Sequence, residues 1–281
     1  MKVDISLSPM GILGLGHLGN LLGLESSSVS GSWGTWHNKK PNKIILPTFQ
    51  FDWGKKKSWY QIPETEVVLV LTIPPLMKSV EDEAKRLQLW CEWMQKNRSQ
   101  LKRLIYISTT GVYPKRNGFW REDSKFESDT NSGKLRLLTE DILSKFFNLN
   151  VIRPGGIYGN GRGIDVRLKS GKPIPFSSTP VHRIHVADLV QIIIYLAKNP
   201  ESASCVNAVD LEAKPSSEVA EWLVENREGF FQEMLSTSYV SSSEKNDSPE
   251  RHISNQLLKN LGITLKYPTF REGMNIFDKN S

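Results

Sequence analysis

The sequence predicts an α/β fold, a doubly wound parallel sheet followed by a smaller C-terminal lobe, and three observations carry that expectation. Gly14-Leu15-Gly16-His17-Leu18-Gly19 sets a GxGxxG spacing between a short apolar run and Asn20-Leu21-Leu22, which reads as strand, tight turn and helix start. The continuous runs Val67 to Leu71 and Leu104 to Ile107 have the β-branched and leucine content of strands buried on both faces. Between such runs lie segments with apolar residues three and four apart, so strands alternate with helices.

In chain order, Gly11 to Leu15 is the first strand and His17 to Leu24 a short helix that gives way to the polar Glu25 to Ser28. The second strand runs from Val29 to Trp36, and the apolar stretch Ile44 to Trp53 holds a third, ending at Asp52. Val67 to Leu71 follows, stopped by Pro74-Pro75, which can neither donate to a ladder nor continue it. From Val80 to Gln100, Ala84, Leu87, Trp90 and Met94 mark one helical face. Leu104 to Ile107 is the next strand, leading into Ser108 to Pro114, and a polar loop covers Lys115 to Asn131. A helix from Ser132 to Phe147 carries the stripe Leu135, Leu138, Ile142 and Phe146. Leu149 to Arg153 is a strand running into the glycine-rich Gly155 to Gly163, which reads as a flexible crossing. The last third holds helices at Asp188 to Ala197, Ser216 to Glu225 and Gln256 to Leu261, a strand at Cys205 to Val209, and a serine-rich loop at Ser236 to Asp247. On this pattern residues 1–160 form a dinucleotide-binding domain, and residues 161–281 complete the sheet and form the lobe. No internal repeat is visible.

The chain's 281 residues, 38% of them hydrophobic, suffice for a full α/β core. Its net charge of +6 comes from scattered groups such as Lys39-Lys40 and Lys55-Lys56-Lys57. No basic stripe interleaved with aromatics appears, which argues against a nucleic-acid partner. Cys91 and Cys205 lie far apart within apolar stretches and read as buried, reduced thiols. No run approaches the roughly 18 apolar residues of a membrane span, so a cytoplasmic protein without a membrane partner is expected. His182 and His185 form HxxH without a third ligand nearby, so no metal site is expected. A GxSxG elbow is absent, and Gly155 to Gly163 lacks the GK[ST] ending of a Walker loop.

In a GxGxxG turn the first glycine permits the bend, the second lets backbone approach a pyrophosphate, and the third lets helix pack on strand. Amides at the helix N-terminus face the anion. Four motifs occur together: Gly14 to Gly19, Tyr106 to Pro114 (Tyr-Ile-Ser-Thr-Thr-Gly-Val-Tyr-Pro), Arg153 to Gly159 (Arg-Pro-Gly-Gly-Ile-Tyr-Gly) and Arg183 to Asp188 (Arg-Ile-His-Val-Ala-Asp). In this order they resemble the extended, atypical short-chain dehydrogenase/reductase proteins of the nucleoside-diphosphate-sugar epimerase-like group, and the tail Gly262 to Gly273 resembles that group as well. The resemblance implies a Rossmann sheet, a nicotinamide cofactor and a small-molecule substrate of the nucleotide-sugar kind. It implies cofactor contacts at Gly14, Gly16, His17, Leu18, Gly19, Asp52, Thr72, Arg136, Pro154, Gly155 and Ile157, with Asp52 at the adenine edge and Pro154 to Ile157 beside the nicotinamide. Thr109 matches the active-site serine or threonine, and a homodimer formed through the helices after the fourth and fifth strands is implied too. For Asp52 the alternative is a loop carboxylate capping a turn.

Charge argues for NADP over NAD. About 20 residues beyond the first glycine, where an acid would meet a ribose 2′-hydroxyl, the chain reads Gly34-Thr35-Trp36-His37-Asn38-Lys39-Lys40. A 2′-phosphate would meet the Thr35 hydroxyl, the His37 ring and a lysine there, although an exposed basic loop without a ligand is the simpler alternative.

Catalysis in the resembled group uses a tyrosine and a lysine four residues later on one helix face. Aligned through Glu140, those positions are Ser132 and Arg136, so the dyad is absent. An aliphatic hydroxyl cannot be tuned toward neutrality as a phenol can, and arginine stays protonated at all accessible pH values. Lys134 is no replacement, being turned roughly 200° from Arg136 along a helix, and Ser132 is expected to cap the helix. Tyr113 is the candidate substitute acid and Tyr158 a second, with aromatic packing as the alternative for both. Two functions remain open: an NAD(P)-dependent epimerase, dehydratase or oxidoreductase, and a non-catalytic NADP-binding sensor or scaffold. A redox-independent isomerase or dehydratase using Glu122 or Asp123 as base is a third idea.

Overall fold

The computed structural model describes residues 8–42, 44–65, 67–175, 178–240 and 250–274. In chain order these form β1 (Met10–Leu13), α1 (His17–Glu25), β2 (Trp33–Trp36), β3 (Thr48–Gln50), α2 (Lys56–Trp59), β4 (Val68–Leu71), α3 (Val80–Asn97), β5 (Arg103–Ile107), β6 (Gly118–Trp120), α4 (Asn131–Ser144), β7 (Asn148–Pro154) and β8 (Gly156–Tyr158). After them come α5 (Ile164–Lys169), β9 (Ile174–Pro175), β10 (Arg183–His185), α6 (Val186–Lys198), β11 (Cys205–Ala208), α7 (Ser216–Asn226), α8 (Gln232–Ser238), β12 (Tyr239–Val240), β13 (Arg251–Ile253), α9 (Gln256–Asn260) and α10 (Phe270–Met274).

Seven strands make the central sheet in the order β3-β2-β1-β4-β5-β7-β11, and the registers from β3 to β7 are parallel. The expected doubly wound sheet is therefore present. Strand order reverses between β1 and β4, and in such sheets ligands bind outside the carboxyl ends of the strands at that reversal. All four residues of β1 and of β4 are buried, which accounts for their unbroken apolar character.

The chain divides into two compact units, one of residues 1–114, 126–153 and 190–206, the other of 115–125, 154–189 and 207–281. Aromatic side chains dominate the first unit's core: Trp53 meets Trp90 edge-on at 5.5 Å, and Trp59 meets Trp93 at 5.8 Å. Pairs of this kind add about 0.5–1.5 kcal/mol each beyond area burial. The second unit has its own core, in which Leu168, Val219, Leu223 and Phe270 are buried around Tyr158. Asp188 ties the C-terminal tail down by accepting from the Lys266 amide at 2.7 Å and the Tyr267 amide at 3.0 Å.

Several boundaries differ from those expected. The second strand begins only at Trp33, because Val29 and Ser32 donate into turns, to Ser26 and Val29, and Gly31 has φ +88°. The third strand ends at Gln50 and does not reach Asp52, whose carbonyl instead accepts from Lys55 in a turn. Gly155 to Gly163 is not merely a flexible crossing, since it contains β8, paired in parallel with β10. The loop expected at Ser236 to Asp247 begins within α8 and β12, and residues 241–247 lie outside the described residues. Of the two cysteines only Cys91 is fully buried, and burial pushes its thiol up to about 12; Cys205 is half-buried. Among the described residues no helix is long and apolar enough to cross a membrane.

Candidate functional site

The glycine turn leaves β1 at Leu13, and its three glycines do three different jobs. Gly14 has φ +104°, and a Cβ there would stand 2.6 Å from the Thr72 hydroxyl. A Cβ on Gly19 would fall 2.1 Å from the Gly14 carbonyl oxygen, so helix and strand approach too closely for any side chain. Around Gly16, by contrast, a Cβ would meet nothing within 4 Å. Space is thus kept above Gly16, at the N-cap of α1, where no side chain caps the helix and the first turn carries no acid. The first-turn amides have no acceptor within the helix by geometry, and their partial positive charge suits an anion. A pyrophosphate fits this cradle.

Two threonines hold the turn from beneath. Thr72, at the end of β4, donates to the carbonyls of Leu13 at 3.1 Å and Gly14 at 2.6 Å. Thr35 accepts from the Gly14 amide at 3.0 Å and is 1% exposed. The expectation that Thr35 meets a 2′-phosphate is therefore corrected: its hydroxyl is spent inside the protein. Leu18 likewise buries its side chain, which leaves its backbone amide as the group available to a ligand. His17 opens α1 and is half-buried.

At the far end of β2, the Asp52 carboxylate lies 3.4 Å from His37 and 3.2 Å from Lys55, and it accepts from the Gly54 amide at 3.0 Å. Burial opposes its ionisation, yet Lys55 and the Gly54 amide outweigh burial and hold Asp52 below the ordinary carboxylate range. The turn-capping alternative is thus what this side chain does in the structure. Folding also brings an acid beside His37 that the spacing after the first glycine did not reveal.

The positions of the missing dyad lie on α4. Its N-cap is Thr130, which accepts from the Gly133 amide at 3.0 Å, so Ser132 is not the cap but an exposed residue of the first turn. Arg136 donates to the Tyr106 hydroxyl at 3.0 Å and to the Ile107 carbonyl at 2.8 Å, at the end of β5. Burial pushes Tyr106 up to about 12 despite that guanidinium, which removes it as a neutral-pH acid. Half-buried Thr109 begins the next turn and accepts from the Gly111 amide at 3.0 Å. Tyr113 is 1% exposed, receives a hydrogen bond from Arg153 at 3.0 Å and packs on Phe126 at 4.8 Å. Arg153 in turn grips Glu140 at 2.6 Å, and Ser108 donates to the same carboxylate at 2.5 Å. Tyr113 therefore belongs to a buried polar network, which is the packing alternative.

In the second unit, the Pro154 to Ile157 segment is fixed by backbone. The Gly155 amide donates to Ala208 at 3.0 Å and the Gly156 amide to His182 at 2.8 Å. Tyr158 is 2% exposed and donates to the Thr269 carbonyl at 3.1 Å, and burial raises its pKa further. It anchors the tail rather than offering a proton. Glu122 accepts from the Asn207 amide at 2.8 Å, and exposed Asp123 pairs with Arg121 at 3.5 Å, so neither stands as a free base. No group of three metal-ligating side chains occurs among the described residues. A cavity of about 400 Å³ in this unit is lined by Tyr158, Arg162, Arg167, Lys172, Arg183 and Ser216 among others. Its cationic lining escaped sequence reading because these residues come together only through β8, α5 and β10.

No family model matches the chain. Protein YeeZ of Escherichia coli strain K12 is 28% identical over 110 residues, and the match spans 38% of this chain and 40% of that protein. Among solved structures, the ADP-L-glycero-D-manno-heptose-6-epimerase of Helicobacter pylori superposes with a TM-score of 0.73 at 14% identity, over 97% of this chain and 96% of that one. MoeE5, solved with UDP-glucuronic acid and NAD, superposes with a TM-score of 0.72 at 17% identity, over 94% and 96%. The chain has the fold of the extended, epimerase-type short-chain dehydrogenase/reductase proteins, the group that its motifs resemble.

Proposed function

We propose that the chain binds a nicotinamide dinucleotide at the glycine turn and an anionic, nucleotide-sugar-like small molecule in its second unit. The observation that carries this reading is the open space above Gly16 against the closed space at Gly14 and Gly19. In this reading the first-turn amides of α1, at Gly16, His17 and Leu18, hold the pyrophosphate, and His37 and Asp52 meet the adenosine ribose. Exposed Lys39 and Lys40 follow His37 in the chain, and His37 and Lys55 flank the single acid Asp52, a basic surrounding that favours NADP. When bound, the nicotinamide supplies or accepts a hydride. Thr109 hydrogen-bonds a substrate oxygen, and Pro154, Gly155 and Ile157 offer backbone to the nicotinamide amide. MoeE5 is described with UDP-sugars, and the Arg162, Arg167, Lys172 and Arg183 lining here suits a diphosphate.

A second reading, a non-catalytic NADP-binding sensor or scaffold, has its own support. Arg136 spends its guanidinium on Tyr106 and Ile107, and Tyr113 is 1% exposed, packed on Phe126 beneath Arg153, so neither is presented to a substrate. Fluorescence titration with NADPH and NADH, followed by a turnover screen over sugar nucleotides, separates the readings. Binding with turnover supports the enzyme, and binding without turnover supports the sensor. No binding of either dinucleotide overturns both.

A further inference from the structure

The first unit contains a buried ion pair that the proposed function does not use. Glu83 on α3 has no exposed surface and accepts from the Met77 amide at 3.0 Å and the Leu76 amide at 3.3 Å. It also receives two nitrogens of Arg86, one turn on: Nε at 3.0 Å and Nη2 in a very short contact. The Arg86 guanidinium then lies over the Trp53 ring, 4.0 Å from its centroid, and Trp53 is 2% exposed.

Two loops are gripped by this one pair. Glu83 holds the loop after β4, through Leu76 and Met77, while Arg86 holds the turn after β3, through Trp53. The loops abut at Gly54, where a Cβ would stand 3.3 Å from the Asp52 carboxylate and 3.5 Å from the Leu76 side chain. Both loops leave the carboxyl ends of strands, on the same side of the sheet as the Gly14 to Gly19 turn. A dinucleotide whose pyrophosphate sits on α1 extends its adenosine over β2, toward this corner.

A buried ion pair is a weak source of stability, because desolvation of the two charges offsets most of their attraction. What the pair does supply is position: two otherwise independent loops share one rigid anchor. We infer that Glu83 and Arg86 are positioning residues for the adenosine half of the dinucleotide, acting by fixing Asp52 to Gly54 and Leu76 to Met77 as the two walls of its pocket. The inference rests on the dinucleotide reading of the glycine turn.

The test compares the two halves of the ligand. Wild type, Glu83→Gln, Arg86→Lys and the double variant Glu83→Gln/Arg86→Leu are titrated calorimetrically with NADPH, adenosine 2′,5′-bisphosphate and reduced nicotinamide mononucleotide. Arg86→Lys keeps the charge and loses the planar face over Trp53, and the double variant leaves no unpaired buried charge. A loosened pocket weakens NADPH and the bisphosphate by about tenfold while the mononucleotide stays within about twofold. A merely structural role weakens both halves alike, and that result, or unchanged affinity for all three ligands in any variant that melts cooperatively, overturns the inference. Wild type that binds neither NADPH nor NADH overturns the dinucleotide reading itself, which keeps the two failures apart.

Discussion

Replacing Gly16 and Gly19 by alanine in turn separates binding from folding at the same turn. Gly16 is extended, with φ −82° and ψ −154°, a conformation alanine adopts freely, and its Cβ would meet no atom within 4 Å. Gly16→Ala therefore leaves stability unchanged or raises it by about 0.4–1 kcal/mol through the unfolded state. The methyl nevertheless occupies the space through which a pyrophosphate oxygen reaches the α1 amides. Losing one charge-assisted hydrogen bond there removes about 1.5–3 kcal/mol of affinity, a weakening of at least about tenfold. Gly19→Ala behaves differently, since its Cβ would lie 2.1 Å from the Gly14 carbonyl oxygen. Separating them to contact distance moves backbone by about 1 Å, a strain of about 1–3 kcal/mol that outweighs the alanine helix preference of about 1 kcal/mol at most sites. Thermal melts and NADPH titrations of both variants read the two effects. Wild-type NADPH affinity in Gly16→Ala refutes the close-approach argument, and a wild-type melt in Gly19→Ala refutes the packing argument.

Asp188→Ala leaves the Lys266 and Tyr267 amides without their acceptor and is expected to lower stability by about 2–4 kcal/mol, read by chemical denaturation, with Asp188→Asn recovering part of the loss. Asp210, 3% exposed, has its pKa pushed up from 3.8 to about 7 by burial, against the pull of Arg183. The folded state then holds a proton that the unfolded state releases, so this group's contribution is fully present below about pH 4 and is lost as pH rises through about 7, by at most about 4 kcal/mol. Asp210→Asn should therefore stabilise the protein more at pH 8 than at pH 5 in paired denaturant titrations, and an equal effect at both pH values counts against the buried-carboxylate argument. Tyr158→Phe removes one hydrogen bond to Thr269 and should lower stability by about 1 kcal/mol without altering NADPH affinity; a lost affinity would tie Tyr158 to the ligand.

Much of the sheet was legible because its strands are short apolar runs and its turn glycines are backbone requirements. Gly14 and Gly19 could be assigned roles from spacing alone, since φ and close approach depend on main chain. The interactions of Thr35 and Asp52 were not legible in the same way. Thr35 reads as a ligand contact because it lies about 20 residues beyond the first glycine, but within β2 its buried hydroxyl turns inward to the Gly14 amide. Asp52 reaches His37 only because β3 pairs in parallel with β2, which brings residues 15 apart together. Ser132 failed as a cap for a local reason: Thr130 stands three residues before Gly133, the spacing at which a side-chain oxygen meets the N3 amide. The grip of Glu83 and Arg86 had no signature at all, since i and i+3 charges on a helix ordinarily face water.

The chemistry open to the first unit follows from where its hydroxyl protons go. Ser108 donates its hydroxyl hydrogen bond to Glu140, Tyr106 is pushed up to about 12 beneath Arg136, and Tyr113 packs under Arg153. Thr109 accepts from the Gly111 amide and keeps its own proton to offer, so it can steady a carbonyl or hydroxyl oxygen. An aliphatic hydroxyl does not ionise near neutrality, however, and the Arg136 guanidinium is a donor already engaged with Tyr106 and the Ile107 carbonyl. A substrate that must lose a hydroxyl proton as hydride departs therefore finds a hydrogen-bond partner at Thr109 but no base among these five side chains. If turnover is found, its rate should follow the pKa of the substrate's own leaving proton, and Thr109→Val should lower kcat while leaving NADPH affinity unchanged. Turnover that is bell-shaped about neutral pH with an unactivated alcohol would require a protein base that this arrangement does not supply, and would refute the argument.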